Sequence, residues 1–155
     1  MEVFRIATSK YAKSLIASGA SARWNRGGEF VLYTASTRSL ATLELMVHVN
    51  AIKLLTNYKV MVISIEDNDN HIEKLLSRKL PKNWRGFQAY SKLQSIGSDW
   101  YRSNRSLVLK IPSAIITSEY NYIINTRHPD FLKSVKLVRT EDFYFDERIL
   151  NLLKT

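Results

Sequence analysis

The sequence has no cysteine. A disulfide framework, a thiolate metal site and a cysteine nucleophile are therefore all excluded. The absence is neutral about compartment. No apolar run approaches the roughly 20 residues needed to span a bilayer. The start, Met1-Glu2-Val3-Phe4-Arg5, has no long apolar stretch behind it, so it does not read as a signal peptide. The expectation is a cytoplasmic protein with no membrane partner. Glycine-rich nucleotide loops are also missing. Gly27-Gly28 stands alone, without a Walker or Gly-x-Gly-x-x-Gly pattern, so no conventional P-loop or Rossmann site is expected. No Gly-x-Ser-x-Gly elbow marks a hydrolase serine. His48, His71 and His128 fall at no metal-ligand spacing, and no metal is expected. Internal repeats, low-complexity tracts and linkers are absent too.

What remains is an ordinary globular balance of 155 residues, 45% hydrophobic and 24% charged. That length suits one domain over 1–155, able to bury about 70% of its unfolded surface and so to hold a rigid pocket. Lys and Arg number 23 against 14 Asp and Glu, a net charge of +9. Such an excess favours an anionic partner: nucleic acid, a phosphate-bearing small molecule, an acidic protein or a membrane surface. The basic residues are scattered rather than blocked, which weakens the reading as a nucleic-acid tail.

The patterning mixes short strands with short helices. Residues 3–7, 30–33, 59–65, 106–111, 120–124, 136–138 and 143–145 read as strands, with 59–65 central. Residues 11–16 are ambiguous and read as a helical turn, and 19–28 as a polar loop. Ser36 or Thr37 caps a helix along which Leu40, Leu43, Val47 and Leu54 recur near helical spacing. Residues 72–80 read as a short amphipathic helix stopped at Pro81. Ser91 caps a helix towards Tyr101, with Leu93, Ile96 and Trp100 on one face, and 129–134 forms one turn. Without regular alternation, the fold class is α+β rather than a doubly wound sheet.

Glu44 is the most informative single residue. Helical spacing puts it beside Leu40, Leu43 and Val47, and a carboxylate on an apolar face must be paired, hydrogen-bonded or protonated. A buried ion pair and a carboxylate held in a pocket for use on a ligand fit equally well. Arg23 lies in a loop and has a guanidinium able to fork onto phosphate, but the residue alone favours a solvated surface arginine. Trp24 reads as core. Tyr33, at the end of an apolar strand, reads as a half-buried packing residue with its hydroxyl bonded.

Several segments together resemble the RES domain. They are Phe4-Arg5-Ile6, Ala22-Arg23-Trp24-Asn25, Val31-Leu32-Tyr33-Thr34-Ala35, Leu40-Ala41-Thr42-Leu43-Glu44 with His48, and Trp84. After them come Ile96-Gly97-Ser98-Asp99-Trp100, Leu107-Val108-Leu109-Lys110-Ile111-Pro112-Ser113-Ala114, Glu119-Tyr120-Asn121-Tyr122-Ile123-Ile124-Asn125 and His128-Pro129-Asp130-Phe131. They follow the family's order over nearly the whole chain. One departure is Ser21-Ala22, where the family has Gly-Gly before Arg-Trp-Asn.

The resemblance implies a fold like the ADP-ribosyltransferase toxins, a split β core with short surrounding helices around an NAD cleft. It implies the toxin of a toxin–antitoxin pair, with NAD as substrate and no permanent cofactor. The implied partner is a helix-turn-helix, Xre-type antitoxin that covers the site, so nucleic acid would be met only through it. Glu44, Arg23 and Tyr33 would be catalytic, resembling the His–Tyr–Glu set of diphtheria-type transferases with Arg in place of His. Arg5, Asn25, Ser113 and Asn121 would bind substrate, Ser113 by contact or by holding Glu44. Water, phosphate or a protein would accept the ADP-ribose. The first two make a glycohydrolase or phosphorylase that depletes NAD, and the third a mono-ADP-ribosyltransferase. A non-enzymatic basic nucleic-acid binder ranks last, since no nucleic-acid motif is visible.

Overall fold

The computed structural model describes residues 1–48 and 57–152. Among these, seven strands form one sheet: β1 (Glu2–Thr8), β2 (Val31–Ala35), β3 (Tyr58–Ile65), β4 (Ile72–Lys74), β5 (Val108–Pro112), β6 (Tyr120–Asn125) and β7 (Val135–Phe143). Four helices accompany them: α1 (Arg38–His48), α2 (Tyr90–Ser103), α3 (Phe131–Ser134) and α4 (Glu147–Leu152). The strand order is β4-β5-β6-β2-β1-β3-β7. Neighbours are antiparallel except β4 and β5. The α+β class expected from the patterning and the split core implied by the resemblance are both present.

The split lies between β1 and β2. Elsewhere the ladders are long: β1 pairs β3 from Glu2↔Ser64 to Thr8↔Tyr58, and β2 pairs β6 along its whole length. Between β1 and β2 pairing is confined to Phe4↔Ala35. Beyond that point the two strands part, and the sheet divides into halves joined at one register position. Alternation then assigns the faces. Phe4, Val60, Val62 and Ala35 pack under Leu40 and Ala41 of α1, while Val31, Leu109, Ile111 and Ile123 pack under Leu93 and Trp100 of α2. Both helices thus cover one face, one over each half. Val3, Leu32, Met61, Ile63, Val108 and Ile124 make the core of the opposite face, closed by Ala12 and Phe131.

Local chemistry accounts for the helices. Thr37 Oγ1 accepts from the Leu40 amide at 3.0 Å, the N-cap expected from the sequence. The first turn of α1 has no acid, and its Arg38 is instead held by Glu141 of β7, with both carboxylate oxygens accepting at 2.7 and 2.8 Å. These contacts draw the Glu141 carboxyl down to about 2. Ser91 does not cap α2. It lies inside the helix, whose N-cap is Ala89, because the turn Phe87–Ala89 already leads into the helix. At its far end α2 stops on Asn104, in the left-handed region at φ 48°.

Several sequence readings need correction. Residues 72–80 are not a helix. Ile72–Lys74 pairs in parallel with β5 and is followed by the turn Ser77–Lys79. Residues 136–138 and 143–145 are not two strands: β7 runs unbroken from Val135 to Phe143 along the edge. Residues 11–14 form a short turn, with the Tyr11 and Ala12 amides on the Thr8 carbonyl, and 15–16 continue without regular structure. On α1, Leu43 and Val47 are 36% and 62% exposed, so the inward side is Leu40 and Ala41, with Glu44 and Leu45 half-buried next along. Leu54 lies outside the described residues.

Candidate active site

Where β1 and β2 part, a cleft of about 590 Å³ opens on the helix-covered face. That volume suits a small-molecule site. Its walls come from β1, β2, α1, the loop 18–24, the start of α2, the end of β5 with the residues after it, and β6. Arg5, Arg23, Tyr33, Glu44 and Asn121 all line it. Residues spread over 117 positions of sequence thus meet through the split. Glu44 is the one acidic residue among the described lining, facing Arg5, Arg23 and His48.

Glu44 is held by one oxygen. Its Oε1 accepts from Asn121 Nδ2 at 2.5 Å and from Ser113 Oγ at 3.2 Å. Its Oε2 has no hydrogen-bond partner among the described residues, and no ion pair there involves Glu44. The carboxylate is therefore hydrogen-bonded rather than salt-bridged. Ser113 is fully buried and lies outside the cleft lining. Its Oγ also accepts from the Ile115 and Ile116 amides at 3.1 and 3.2 Å, which fixes its donated proton on Glu44. Asn121 Oδ1 is buried without a partner. The Glu44 charge fixes that amide's orientation, since a flip would set oxygen against oxygen.

Arg5 is the half-buried cation of the cleft. It alternates away from Phe4 and Ile6, yet lines the cleft because the strands separate beside it. Among the described residues it has no hydrogen bond or ion pair, and burial lowers its guanidinium pKa from the ordinary value. A half-buried cation with no protein partner there favours an anion. Arg23 is better supported. Its Nη1 donates to the Trp84 and Arg85 carbonyls at 3.1 and 2.9 Å, and its guanidinium lies 4.6 Å from the Tyr90 ring centre.

Tyr33 sits in the middle of β2, not at its end, because the strand runs on to Ala35. Its hydroxyl donates to Asn25 Oδ1 at 2.9 Å and accepts from the Trp24 amide at 3.1 Å. Burial raises its pKa further above the usual phenol range. The hydroxyl is thus committed to the loop, and the cleft is offered the ring. Asn25 is 2% exposed and does not line the cleft. Its Nδ2 donates to the Ala20 and Arg26 carbonyls at 2.8 and 3.0 Å. It organises the loop that carries Arg23.

The family model for the RES domain matches residues 2–146. The chain belongs to the RES domain family. A relative in Yersinia enterocolitica, named Toxin Res, is 35% identical across 96% of this chain and 99% of its own length. A Sphingobium relative named Prs ADP-ribosylating toxin is 35% identical across 86% of each chain. A chain in the crystal structure of the M. tuberculosis MbcT–MbcA toxin–antitoxin complex matches the fold with a TM-score of 0.72. That match has 16% identity and covers 99% of this chain and 88% of that one.

In this RES domain the Ser21-Ala22 departure is accommodated without strain. The left-handed positions of the loop are Gly19 and Gly28, at φ 71° and 84°, and neither Ser21 nor Ala22 needs that region. Gln94 of α2 donates to Ser21 Oγ and to the Ala22 carbonyl at 3.1 and 2.8 Å, pinning the segment. Sequence reasoning misses Tyr90, which lines the cleft, and Glu29, which is buried. Glu29 Oε2 accepts from the Arg26 amide and Ser98 Oγ at 2.8 and 2.9 Å, another tie between loop and α2. The Ser98 within Gly97-Ser98 is a signal for that tie. Nothing in the local pattern marks Tyr90. Among the described residues no cluster of acids and histidines could hold a metal ion, and no helix is long and apolar enough to cross a membrane.

Proposed function

We propose that this RES domain is the toxin of a toxin–antitoxin pair and that it cleaves the nicotinamide–ribose bond of NAD. The observation that carries the reading is the arrangement around Glu44, a lone carboxylate with one oxygen fixed and two arginines sharing its cleft. The names of the Yersinia and Sphingobium relatives support the toxin assignment.

When the C1′–N bond breaks, its electron pair moves onto the nicotinamide nitrogen, which leaves neutral. Positive charge then spreads over the ribose C1′ and ring oxygen, as in glycoside cleavage. A carboxylate beside that carbon stabilises the transition state selectively, because the ribose carries no such charge beforehand. Glu44 supplies the carboxylate through Oε2, while Ser113 and Asn121 hold Oε1. No general acid is needed for a leaving group that becomes neutral on departure. The Tyr33 ring stacks on nicotinamide, and Arg5 and Arg23 hold the pyrophosphate. The partner proposed is a helix-turn-helix, Xre-type antitoxin that covers the cleft.

Purified protein incubated with NAD, with and without inorganic phosphate, tests the reading. Free nicotinamide should accumulate, and its absence in both conditions overturns cleavage with water or phosphate as acceptor. The Sphingobium relative's name favours a second reading, ADP-ribose transfer to a protein. Labelled NAD in a cell extract separates the two: a labelled macromolecular band with little free ADP-ribose favours transfer.

A further inference from the structure

The cleft rim beside α2 carries rings that the cleavage step does not use. Phe87 is 84% exposed, and neither it nor Tyr90 belongs to the apolar clusters of the core. The two rings are 5.2 Å apart and inclined at 33°. The Arg23 guanidinium lies 4.6 Å from the Tyr90 ring centre. Arg23 and Phe87 thus both adjoin the Tyr90 ring; Tyr90 and Arg23 line the cleft, and Phe87 stands outside its lining. The Trp84 and Arg85 carbonyls hold Arg23 in place.

We infer that Tyr90 and Phe87 form an adenine subsite, a platform on which the purine of a dinucleotide stacks. The inference rests on the NAD reading above and adds the direction in which the substrate lies. A dinucleotide has two flat bases separated by a pyrophosphate. With nicotinamide at Tyr33 and Glu44 and the pyrophosphate at the arginines, the purine falls beyond Arg23. The half-buried Tyr90 and the exposed Phe87 stand beside Arg23. Every base offers a π face, and aromatic rings stack on it at offset separations like those seen here. The platform gives no grip on a substrate that ends at the nicotinamide ribose phosphate.

The test compares NAD with nicotinamide mononucleotide, which keeps the scissile bond but lacks the adenylate half. Phe87→Ala should lower kcat/KM for NAD about tenfold more than for the mononucleotide, with the NAD loss residing in KM. Tyr90→Ala should act in the same direction. Equal effects on both substrates, or none, overturn the subsite and leave the exposed ring to a protein contact. Because Phe87 is exposed, its variant should melt with wild type. ADP titrated by calorimetry gives a readout independent of cleavage. Binding about tenfold weaker in Phe87→Ala supports the subsite even if neither substrate is cleaved, the result that would sink the NAD-cleavage reading. Unchanged ADP binding in the variant, or none in wild type, overturns the subsite.

Discussion

At the scale of the residue, the site turns on how one carboxylate is held. Glu44 Oε1 takes both hydrogen bonds while Oε2 has no partner among the described residues. Glu44→Gln keeps the shape but removes the charge. It should lower nicotinamide release about 100- to 1,000-fold, the cost seen when a transition-state electrostatic contact is lost. The variant should stay folded, and undiminished release would remove Glu44 from the mechanism. Ser113→Ala makes a different case. It leaves the Glu44 charge in place but frees its orientation and strips the Ile115 and Ile116 amides of their acceptor. A buried donor left unpaired costs about 1–3 kcal/mol. Denaturant unfolding should show that loss, and kcat should fall about tenfold with KM within about twofold. A fall in stability alone would make Ser113 a turn residue with no hold on catalysis. Glu44 is legible in the sequence because helical spacing puts a charge beside apolar residues. Of the expected neighbours Leu43 turns outward, while Ala41, Leu45 and the exposed Val47 share the cleft lining with Glu44. Arg23 is not legible in that way, since the carbonyls that fix it lie 61 and 62 residues further along.

At the scale of the element, α2 acts as the base plate of the Arg23 loop. Gln94 and Ser98 bind the loop through hydrogen bonds, and Gly97 lets the backbones meet. A Cβ at Gly97 would stand 1.7 Å from the Trp24 carbonyl oxygen. Gly97→Ala therefore forces helix and loop apart. Overpacking of this kind costs about 1–3 kcal/mol or more. The displaced segment carries Arg23, so KM for NAD should rise together with the drop in melting temperature. A variant that melts early but binds NAD as wild type does would separate the loop's position from α2. The elements themselves are legible where they bury a periodic face. The β3 strand and the α2 stripe of Leu93, Ile96 and Trp100 follow directly from the pattern, although β3 lies next to the edge strand rather than at the centre of the sheet. Elements completed by distant partners are not. Ile72, Leu75 and Leu76 have a helical period, yet β5 offers hydrogen bonds that make Ile72–Lys74 a parallel strand. β7 loses its apolar signal from Arg139 to Asp142 because it is an edge strand, where charged residues discourage further pairing.

At the scale of the whole molecule, the question is what a net charge of +9 does. Several acids are engaged at the surface: Glu141 with Arg38, Asp142 with Lys59, Glu73 with Arg105 and Asp146 with Arg148. Such exposed pairs add little stability, but they leave the excess of Lys and Arg to set the long-range field. The split sheet opens a cleft in that field, and on the proposed reading an anionic dinucleotide is drawn towards the two arginines before it touches either. Screening should weaken this attraction. The Debye length falls from about 10 Å at 0.1 M salt to about 3 Å at 1 M. Raising salt across that range should lift KM for NAD several-fold. The effect on kcat should be small, because the proposed action of Glu44 on the ribose is short-range and lies inside the cleft, where ions screen poorly. A nucleic-acid binder behaves differently: its salt dependence appears in retention on generic DNA or RNA and grows with each phosphate contacted. Parallel measurements of NAD kinetics and nucleic-acid binding over one salt series therefore decide which anion the charge serves. A KM that stays flat, alongside steep salt-dependent binding to nucleic acid, would assign it to the second.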